Sequence, residues 1–347
     1  MKDEILREIL TCTECGYCKQ VCPIYDVVGW ETFSPRGRIN LTYGFLLEAL
    51  KYTEKAGSAL FSCLGCGVGE IRCPSKIRIR KIMFRGKQEA LKRGAKPTKK
   101  QAELLENVLK AKNIYGKKLP ERKVSKDVVF FSGCIIPLEE ESVHKSVLKL
   151  VSEFLPGAEV LDGICCGRPL LALGEVEKFR SYAEELAREL QDREVVVACP
   201  SCYEALKTWY QEEAGISLNV KHLLEYVDDG RLAKSLSSKV VVHDPCSLRR
   251  EPDVLRKCRS LLESLGAKVV EPSKKFEWTL CCGSGHKLMS EEELGRRVSE
   301  KRGEDLVKTG ADVVVTICPE CARMLKASLQ PKVKVVDVYT LLSGAVA

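Results

Sequence analysis

The chain has 347 residues, 45% of them hydrophobic, and it contains 18 cysteines. A chain of this length buries a sizeable core and divides into roughly two or three domains. No apolar run approaches the roughly 18 residues of a membrane span, and the charged start MKDEILREIL lacks the apolar region of a signal peptide. The composition predicts a cytoplasmic globular protein, which a partner subunit would have to anchor if it works at the inner face of a membrane.

The formal net charge is +8, and the basic residues concentrate between Lys76 and Lys126. This charge treats every cysteine as neutral, whereas a 4Fe-4S core held by four thiolates carries about −2. Several such clusters would cancel the surplus, so we expect no nucleic-acid partner. A zinc-bearing nucleic-acid binder is the non-redox alternative. Abundant Lys, Arg and Glu with little Asn or Gln also suggest a thermophile.

Two cysteine runs of the ferredoxin type open the chain. Without an export signal, thiols stay reduced and serve metals or redox chemistry rather than disulfides. The first run, which fits C-x2-C-x2-C-x3-C-P, consists of Cys12, Cys15, Cys18 and Cys22. The second run consists of Cys63, Cys66 and Cys73. It has Gly69 where its third cysteine is expected, so one cluster is short of a ligand.

In such paired runs the fourth cysteine of each run binds the cluster of the other run. This rule assigns the ligands of both clusters. The first cluster, of the 4Fe-4S type, takes Cys12, Cys15, Cys18 and Cys73. The second takes Cys22, Cys63 and Cys66. It is either 3Fe-4S, or 4Fe-4S with water, a side chain such as Glu70 or a partner residue on its fourth iron. Tetrahedral zinc is the competing interpretation, but it leaves some cysteines without a metal to bind and does not explain two runs that end in proline.

A predicted helix separates the two runs. Ser34-Pro35 opens it, and apolar residues at helical spacing continue from Ile39 to Leu50. Arg36 and Arg38 near its start are either ordinary surface charges or cations that raise the potential of a cluster. Further on, a Lys-rich helical stretch between Pro97 and Gly116 predicts a linker that packs along the next domain.

From Val128 onward, strands alternate with helices, the first of which is expected to run from Cys134 to about Phe154, and one cysteine pattern occurs twice. Each copy has a strand that ends at a cysteine, then a CCG motif, then a C-P-x-C motif after a further strand. The first quintet is Cys134, Cys165, Cys166, Cys199 and Cys202. The second quintet is Cys246, Cys281, Cys282, Cys318 and Cys321. Because sites collect at the carboxyl ends of parallel strands, we expect each quintet to converge at one edge. A thioredoxin-like pair at C-P-x-C is the alternative.

These patterns predict an α+β fold in which a helical two-cluster ferredoxin domain precedes a duplicated α/β domain with parallel strands. The predicted domains are residues 1–94 (two-cluster ferredoxin), 95–126 (helical linker), 127–237 (first half) and 238–347 (second half).

The doubled pattern C-x30-CCG-x31-CPSC and C-x34-CCG-x34-CPEC resembles the CCG domains of heterodisulfide reductase catalytic subunits. With the ferredoxin runs in front, nearly the full chain is similar to the D-subunit family of that enzyme. This family includes iron-sulphur subunits of FAD-dependent glycolate, lactate and glycerol-3-phosphate dehydrogenases. The motifs SPRGRI and HDPC are further points of resemblance to this family.

The resemblance implies that each quintet holds a noncubane 4Fe-4S cluster, and that two facing clusters cleave a disulfide. It also implies partners: a flavoprotein, either an FAD-linked dehydrogenase or an electron-transfer flavoprotein, or a membrane cytochrome b-type subunit. The acceptor would be a disulfide or a quinone. The alternative is a pure electron relay that feeds quinone and has no disulfide reductase activity.

Two histidines lie close to the second quintet. His286 follows CCG where relatives often have Gly, and Ser247 follows Cys246 where relatives often have His. Since imidazole titrates near neutrality, His286 is a candidate catalytic proton donor, with a loop-capping hydrogen bond as the alternative. His243 is a candidate of the same kind, with orientation of the cluster loop as its alternative. Cys258 falls outside every motif, so we expect it to be a small buried residue.

Overall fold

The structure is a computed structural model that describes residues 2–120, 124–233, 236–289 and 292–346. Short helices form the part that carries the ferredoxin runs. They are α1 (Lys2–Leu10), α2 (Pro23–Val28), α3 (Pro35–Leu46), α4 (Glu54–Phe61), α5 (Val68–Arg72) and α6 (Ile79–Lys92). The Ser34 hydroxyl accepts a hydrogen bond from the Gly37 amide at 2.9 Å and so caps α3, and Pro35 occupies its first turn.

The capping box of Thr98 and Gln101 starts the linker helix, α7 (Lys99–Ala111). The first half then alternates strands and helices: β1 (Val128–Gly133), α8 (Ile135–Glu139), α9 (Glu141–Phe154), β2 (Glu159–Asp162), α10 (Arg168–Ala172), α11 (Val176–Leu190), β3 (Glu194–Val197), α12 (Pro200–Glu204), a π-helix (Ala205–Ala214) and β4 (Asn219–His222). Its strands are parallel in the order β2-β1-β3-β4.

The second half repeats this order: β5 (Lys239–His243), α13 (Pro252–Ser264), β6 (Lys268–Val270), α14 (Glu293–Val307), β7 (Val313–Thr316), α15 (Pro319–Leu329), β8 (Lys334–Asp337) and α16 (Val338–Ala345). Its sheet, β6-β5-β7-β8, is also parallel and has the same connectivity. The predicted fold class, with helical ferredoxin part and duplicated parallel α/β part, is confirmed. The boundaries at residues 94, 126 and 237 stay predictions.

The glycine of each CCG motif is required by the backbone. Gly167 and Gly283 have φ of +79° and +92°, values that L side chains rarely adopt. A Cβ at Gly283 would also lie 2.1 Å from the carbonyl oxygen of Gly295. The tight turn is what presents two successive cysteines to one cavity.

One hydrophobic core runs through both sheets, and α16 of the second half packs along α9 of the first. The Tyr339 hydroxyl at the start of α16 donates to the Ala198 carbonyl at 2.6 Å, next to Cys199. The ferredoxin part docks on the first half through the buried ion pair of Arg80 with Glu204, and a second ion pair of Arg80, with Glu70, lies within the ferredoxin part. None of the helices in the described ranges is long and apolar enough to cross a bilayer.

Three helix boundaries differ from the prediction. The helix that opens at Pro35 ends at Leu46 rather than Leu50, and Leu50 folds back so that its side chain fills the space beside Gly44. The helix after Cys134 is broken at Glu140 into α8 and α9. The linker helix ends at Ala111, where Lys112 takes a left-handed conformation with φ of +59°.

Candidate metal centres

The first ferredoxin-type site lies near the surface. Its predicted ligands are Cys12, Cys15, Cys18 and Cys73. Burial raises the pKa of the Cys18 thiol to about 11, and the neighbouring Cys12, Cys22 and Cys73 thiols raise it further. Cys15 is exposed on the loop between them. Arg36 holds this loop, because its Nη1 donates to the Glu14 carbonyl at 2.7 Å.

The second ferredoxin-type site is enclosed. Cys22, Cys63 and Cys66 line one cavity, and Gly69 lies on its wall. Burial raises the pKa of the Cys66 thiol to about 12, and the nearby thiols of Cys246 and Cys22 add to this rise. The site therefore lies between the first ferredoxin-type site and the second quintet.

All five cysteines of the first quintet line a single cavity, namely Cys134, Cys165, Cys166, Cys199 and Cys202. Neighbouring thiols shift one another's pKa in this cavity. Cys134 and Cys166 raise the pKa of Cys165, and Cys165 and Cys202 lower that of Cys166. All five are buried.

The second quintet repeats this arrangement in a second cavity, lined by Cys246, Cys281, Cys282, Cys318 and Cys321. Neighbouring thiols again shift one another's pKa: Cys281 raises the pKa of Cys246, and Cys282 raises that of Cys321. Cys281 and Cys321 lower the pKa of Cys282 to about 6. In both halves the pKa of the second cysteine of the CC pair is therefore lowered.

Five soft thiol donors around one cavity fit an iron-sulphur cluster. Zinc takes four ligands in a closed structural site, and hard cations prefer oxygen. Two adjacent cysteines crowd a single metal ion but can serve neighbouring irons of one cluster. The residues present therefore fit the cluster that the CCG pattern implies in each half.

Comparison with known families identifies the same three stretches. A family model described as a 4Fe-4S dicluster domain matches residues 8–77, and one described as a cysteine-rich domain, CCG, matches residues 128–207 and 240–326. The chain thus carries a 4Fe-4S dicluster domain followed by two CCG domains.

Three curated relatives match most of this CCG-domain chain. The D-subunit of dihydromethanophenazine:CoB-CoM heterodisulfide reductase from Methanosarcina acetivorans is 29% identical over 98% of the chain and 94% of its own length. The B-subunit of fumarate reductase (CoM/CoB) from Methanothermobacter marburgensis is 27% identical over 98% of the chain and 73% of its own length. EtfAB:quinone oxidoreductase from Syntrophomonas wolfei is 23% identical over 97% of the chain, which spans 58% of that relative.

These relatives support an oxidoreductase role in iron-sulphur electron transfer within a larger complex. Among solved structures, glutamate racemase from Aquifex pyrophilus covers 62% of the chain and 81% of its own length at 21% identity, but the TM-score of 0.32 is too low to carry an argument.

His243, at the end of β5, lies against the second quintet of the CCG-domain chain. One of its ring nitrogens lies within 4.8 Å of the sulphurs of Cys282 and Cys321. Its Nδ1 accepts a hydrogen bond from Arg302 Nε at 3.0 Å, so that nitrogen carries a lone pair. Burial and then Arg302 lower the pKa of His243 to about 3. The ring is therefore neutral, with its proton on Nε2.

This tautomer shows what His243 can do. A histidine that ligates a metal donates through its other ring nitrogen, whereas here the other nitrogen accepts. Nε2 is buried and has no partner among the described residues. His243 therefore offers an N–H donor at Nε2 beside the second quintet, and its catalytic role stays a prediction.

His286 lies between the two quintets. It lines both CCG cavities, as does Ser201. Its Nδ1 is 3.4 Å from the Ser201 hydroxyl, and its buried Nε2 has no partner within the described ranges. Burial, reinforced by Arg168, Arg80 and Lys87, lowers the pKa of His286. The residue also has φ of +61°, a strained conformation for a non-glycine residue.

Two buried cations contact the cysteines of the second ferredoxin-type site. Arg38 Nη1 is 4.0 Å from the Cys22 sulphur, and its Nε donates to the Ala59 carbonyl at 2.6 Å. Lys87 Nζ donates to the Cys63 carbonyl at 3.0 Å, and burial lowers its pKa to about 8. Such cations offset cluster charge and raise the reduction potential.

The remaining sequence candidates divide between core and surface. Arg36 pairs with Glu31 at 2.8 Å on the surface, beside the first ferredoxin-type site. Cys258 is fully buried in α13, as predicted. Ser247 lines the second CCG cavity, where relatives often have His. Glu70, a candidate ligand, turns instead towards Arg80.

Several residues at these sites carried no signal in the sequence. Lys87 and Arg302 are in helices far from any cysteine motif in sequence, and only the tertiary structure brings them to the clusters. Arg168 was detectable in principle, because it directly follows the first CCG motif. Its guanidinium is fully buried, and Nη1 and Nη2 have no hydrogen-bond partner among the described residues.

Proposed function

We propose that this protein is the iron-sulphur subunit that carries electrons from a flavoprotein or a membrane cytochrome partner to a disulfide reduced between the two CCG cavities. The partner would also supply the attachment to the inner face of a membrane. The observation that carries this proposal is that His286 and Ser201 line both cavities, so the two quintets face one shared space.

Neighbouring cysteines join the four sites in one row, which supports the transfer role. Cys18 of the first ferredoxin-type site is close to Cys22 of the second. Cys66 of the second is close to Cys246 of the second quintet, and Cys318 of that quintet is close to Cys199 of the first. Electrons that arrive at the exposed loop of Cys15 would follow this row inwards.

Disulfide reduction takes up two electrons and two protons, breaks one S–S bond and releases two thiols. Bound clusters supply single electrons and iron sites for sulphur. The protein's part is to deliver protons and to exclude water. His286 is proposed to relay protons at the shared space: its lowered pKa keeps the ring neutral, so Nε2 can give up its proton only as Nδ1 receives one, and Ser201 is the neighbour at Nδ1. His243 is proposed to position the second quintet and tune it.

A surface groove of about 380 Å³ supports access of a small molecule to this space. The groove shares Ile114 and Lys287 with the cavity of the first quintet. Lys287 spans the junction, with its ammonium 2.8 Å from Glu139 and 3.6 Å from Glu320. Movement of this side chain would open the path.

The test uses the anaerobic, fully metallated chain with reduced viologen and the coenzyme M-coenzyme B heterodisulfide. We expect viologen oxidation with release of two thiols per disulfide. His286→Asn should slow thiol release at least tenfold and leave the reduction of the clusters by viologen unchanged. A fully metallated sample that releases no thiol would overturn the disulfide reductase proposal.

A pure electron relay is the second candidate: a docked flavoprotein would reach the first site at the exposed loop of Cys15, and the electrons would leave to a quinone instead of a disulfide. In that case reduced electron-transfer flavoprotein should reduce the clusters, and a quinone should reoxidise them. His286→Asn would then leave the quinone reaction unchanged. Quinone reduction without thiol release would select the relay.

A further inference from the structure

The cavity of the second ferredoxin-type site has three thiols and one corner without a ligand. Cys22, Cys63 and Cys66 supply the thiols, and Gly69 in α5 occupies the position where the ferredoxin run requires its third cysteine. A side chain at residue 69 would point into a small space. Its Cβ would lie 3.2 Å from Ile79 Cδ1 and 3.8 Å from Pro35 Cγ.

The polar side chains that line this cavity do not supply a fourth ligand. The Glu70 carboxylate accepts hydrogen bonds from the Arg80 amide at 2.7 Å, from Arg80 Nε at 3.1 Å and from Arg250 Nη2 at 3.0 Å. Arg38 and Arg80 also line the cavity, but a guanidinium has no acceptor to offer to iron. The carboxylate that sequence reasoning offered as a ligand is thus held by arginines.

External ligands are also disfavoured at this corner. Gly69 and the residues on either side of it are buried, so a partner protein has no access. An ordered water needs polar partners, whereas the atoms nearest to residue 69 are apolar carbons of Ile79, Pro35 and Cys18. A fourth iron at this corner would lack both a protein ligand and a stabilised solvent ligand.

We propose that this site holds a 3Fe-4S cluster on Cys22, Cys63 and Cys66. The dicluster family model implies a 4Fe-4S cluster at this site, and the residues present do not fit one. The two ferredoxin-type sites of this protein therefore differ in nuclearity. This inference concerns the ferredoxin part alone and holds whichever acceptor the CCG cavities serve.

The test begins with the unmodified chain, prepared and kept anaerobic. We expect the electron paramagnetic resonance signal of an oxidised 3Fe cluster before any oxidant is added. We also expect native mass spectrometry to show one iron fewer than four-iron clusters at every site require. A full complement of iron in the anaerobic chain, or a 3Fe signal whose appearance on ferricyanide treatment is accompanied by loss of iron, would overturn the proposal.

Gly69→Cys and Gly69→Ala form a matched pair, because both add a Cβ beside Ile79 and only one adds a thiol. The Ile79 contact is with the end of a flexible side chain and can give by a few tenths of an ångström, whereas the contact with Cys18 Cβ at 3.3 Å is the same in both variants and so cancels in their comparison. We expect Gly69→Cys to gain one iron and lose the 3Fe signal, while Gly69→Ala keeps it.

The signal of the first ferredoxin-type site is the internal control and should be unchanged in both variants. A folded Gly69→Cys protein with an intact 3Fe signal would contradict the assignment of the open corner to residue 69. If that variant does not assemble, the iron content and Mössbauer spectrum of the unmodified chain still decide between three and four irons.

Discussion

His243 and Arg302 show how one hydrogen bond determines the role of a residue. The guanidinium donates to Nδ1 at 3.0 Å, and the proton on Nε2 is left for the sulphurs of the second quintet. Donors to cluster sulphur stabilise the reduced, more negative form and so raise the potential. We therefore expect His243 to contribute to the energy of the electron rather than to proton delivery.

Replacing His243 by Phe should lower the midpoint potential of the second CCG cluster. A hydrogen bond to a charged group contributes about 1.5–3 kcal/mol, of which only the difference between oxidation states counts, so we expect a shift on the order of 50 mV. Redox titration followed by spectroscopy measures it. His243→Gln retains an N–H donor and should recover part of the shift.

The first CCG cluster in the same sample is the internal control, since His243 does not line its cavity. Equal shifts of both clusters would indicate a general structural effect and contradict the donor role.

At the residue scale, the cysteine sets were predictable and their charged neighbours were not. Spacing alone groups Cys134 with the CCG and C-P-x-C cysteines, because parallel strands deliver them to one edge. The approach of Lys87 to the Cys63 carbonyl depends on how α6 docks. The sequence also could not decide whether Arg38 is a surface charge or a cation beside a cluster. Its burial and the 4.0 Å distance from its Nη1 to the Cys22 sulphur decide this.

The turn after each CC pair is the element that builds a CCG site. Gly283→Ala should destabilise the protein by about 2–5 kcal/mol, because it combines left-handed strain with a Cβ placed 2.1 Å from the Gly295 carbonyl oxygen. Gly157→Ala is the matched control, since Gly157 has φ of +87° with open space around it.

Gly157→Ala should destabilise the protein by about 1–2 kcal/mol, because only backbone strain contributes. Thermal denaturation of the metallated proteins, together with iron content, measures both effects. Similar losses in the two variants would show that the clash with Gly295 is absent.

The cap of α16 predicts a pH dependence of stability. Asp337 Oδ1 accepts from the Tyr339 amide at 2.9 Å, and burial raises the pKa of this carboxyl from 3.8 to about 8. Between these values the folded chain holds a proton that the unfolded chain has lost. The contribution of Asp337 is therefore present below about pH 4 and is lost as the pH rises through about 8.

Asp337→Asn keeps the acceptor and removes the titration, so its stability should fall less than that of the unmodified chain over this pH range. The difference should reach a few kcal/mol, on the order expected from linkage. Melting temperatures from pH 5 to pH 9 measure it. Parallel profiles for the two proteins would contradict the raised pKa.

At the scale of elements, periodicity predicted which segments are helices and strands, and local contacts decided where they end. The continuous helix expected after Cys134 is interrupted because Glu140 takes a non-helical conformation with φ of −116° and ψ of 64°. Hydrophobic spacing does not reveal such a break, because the apolar positions of α9 continue the helical spacing of α8.

Arg80 joins the ferredoxin part to the first half of the CCG part. It pairs with Glu70 and Glu204, and its guanidinium lies 4.9 Å from the ring centroid of Trp209. Removing one member of a buried ion pair costs about 3–5 kcal/mol, so Arg80→Met should lower the melting temperature of a chain of this length by roughly 4–7 °C.

Arg78→Met is the matched control two residues away. Arg78 pairs with Glu4 and Glu8 at the surface, where its side chain is 39% exposed, and such pairs contribute about 0–1 kcal/mol. Calorimetry of the metallated chain compares them. Equal losses would contradict a special role of Arg80 in docking.

For the whole molecule, the duplication of the CCG part was visible in the sequence because the same motifs recur in the same order. The docking of the ferredoxin part was not, since its contacts join residues that share no local pattern. The Lys87 ammonium on the Ala172 carbonyl at 2.8 Å, for example, joins α6 to α10. The order of the four sites can therefore be read only from the tertiary structure.

The docking of α16 beside Cys199 has a consequence for biosynthesis. Carrier proteins hand over preassembled iron-sulphide cores by ligand exchange, which needs direct reach to the receiving thiols. Once Tyr339 has bound the Ala198 carbonyl, that reach is closed off. We therefore expect the thiols of the first quintet to be loaded with iron before α16 docks on the first half.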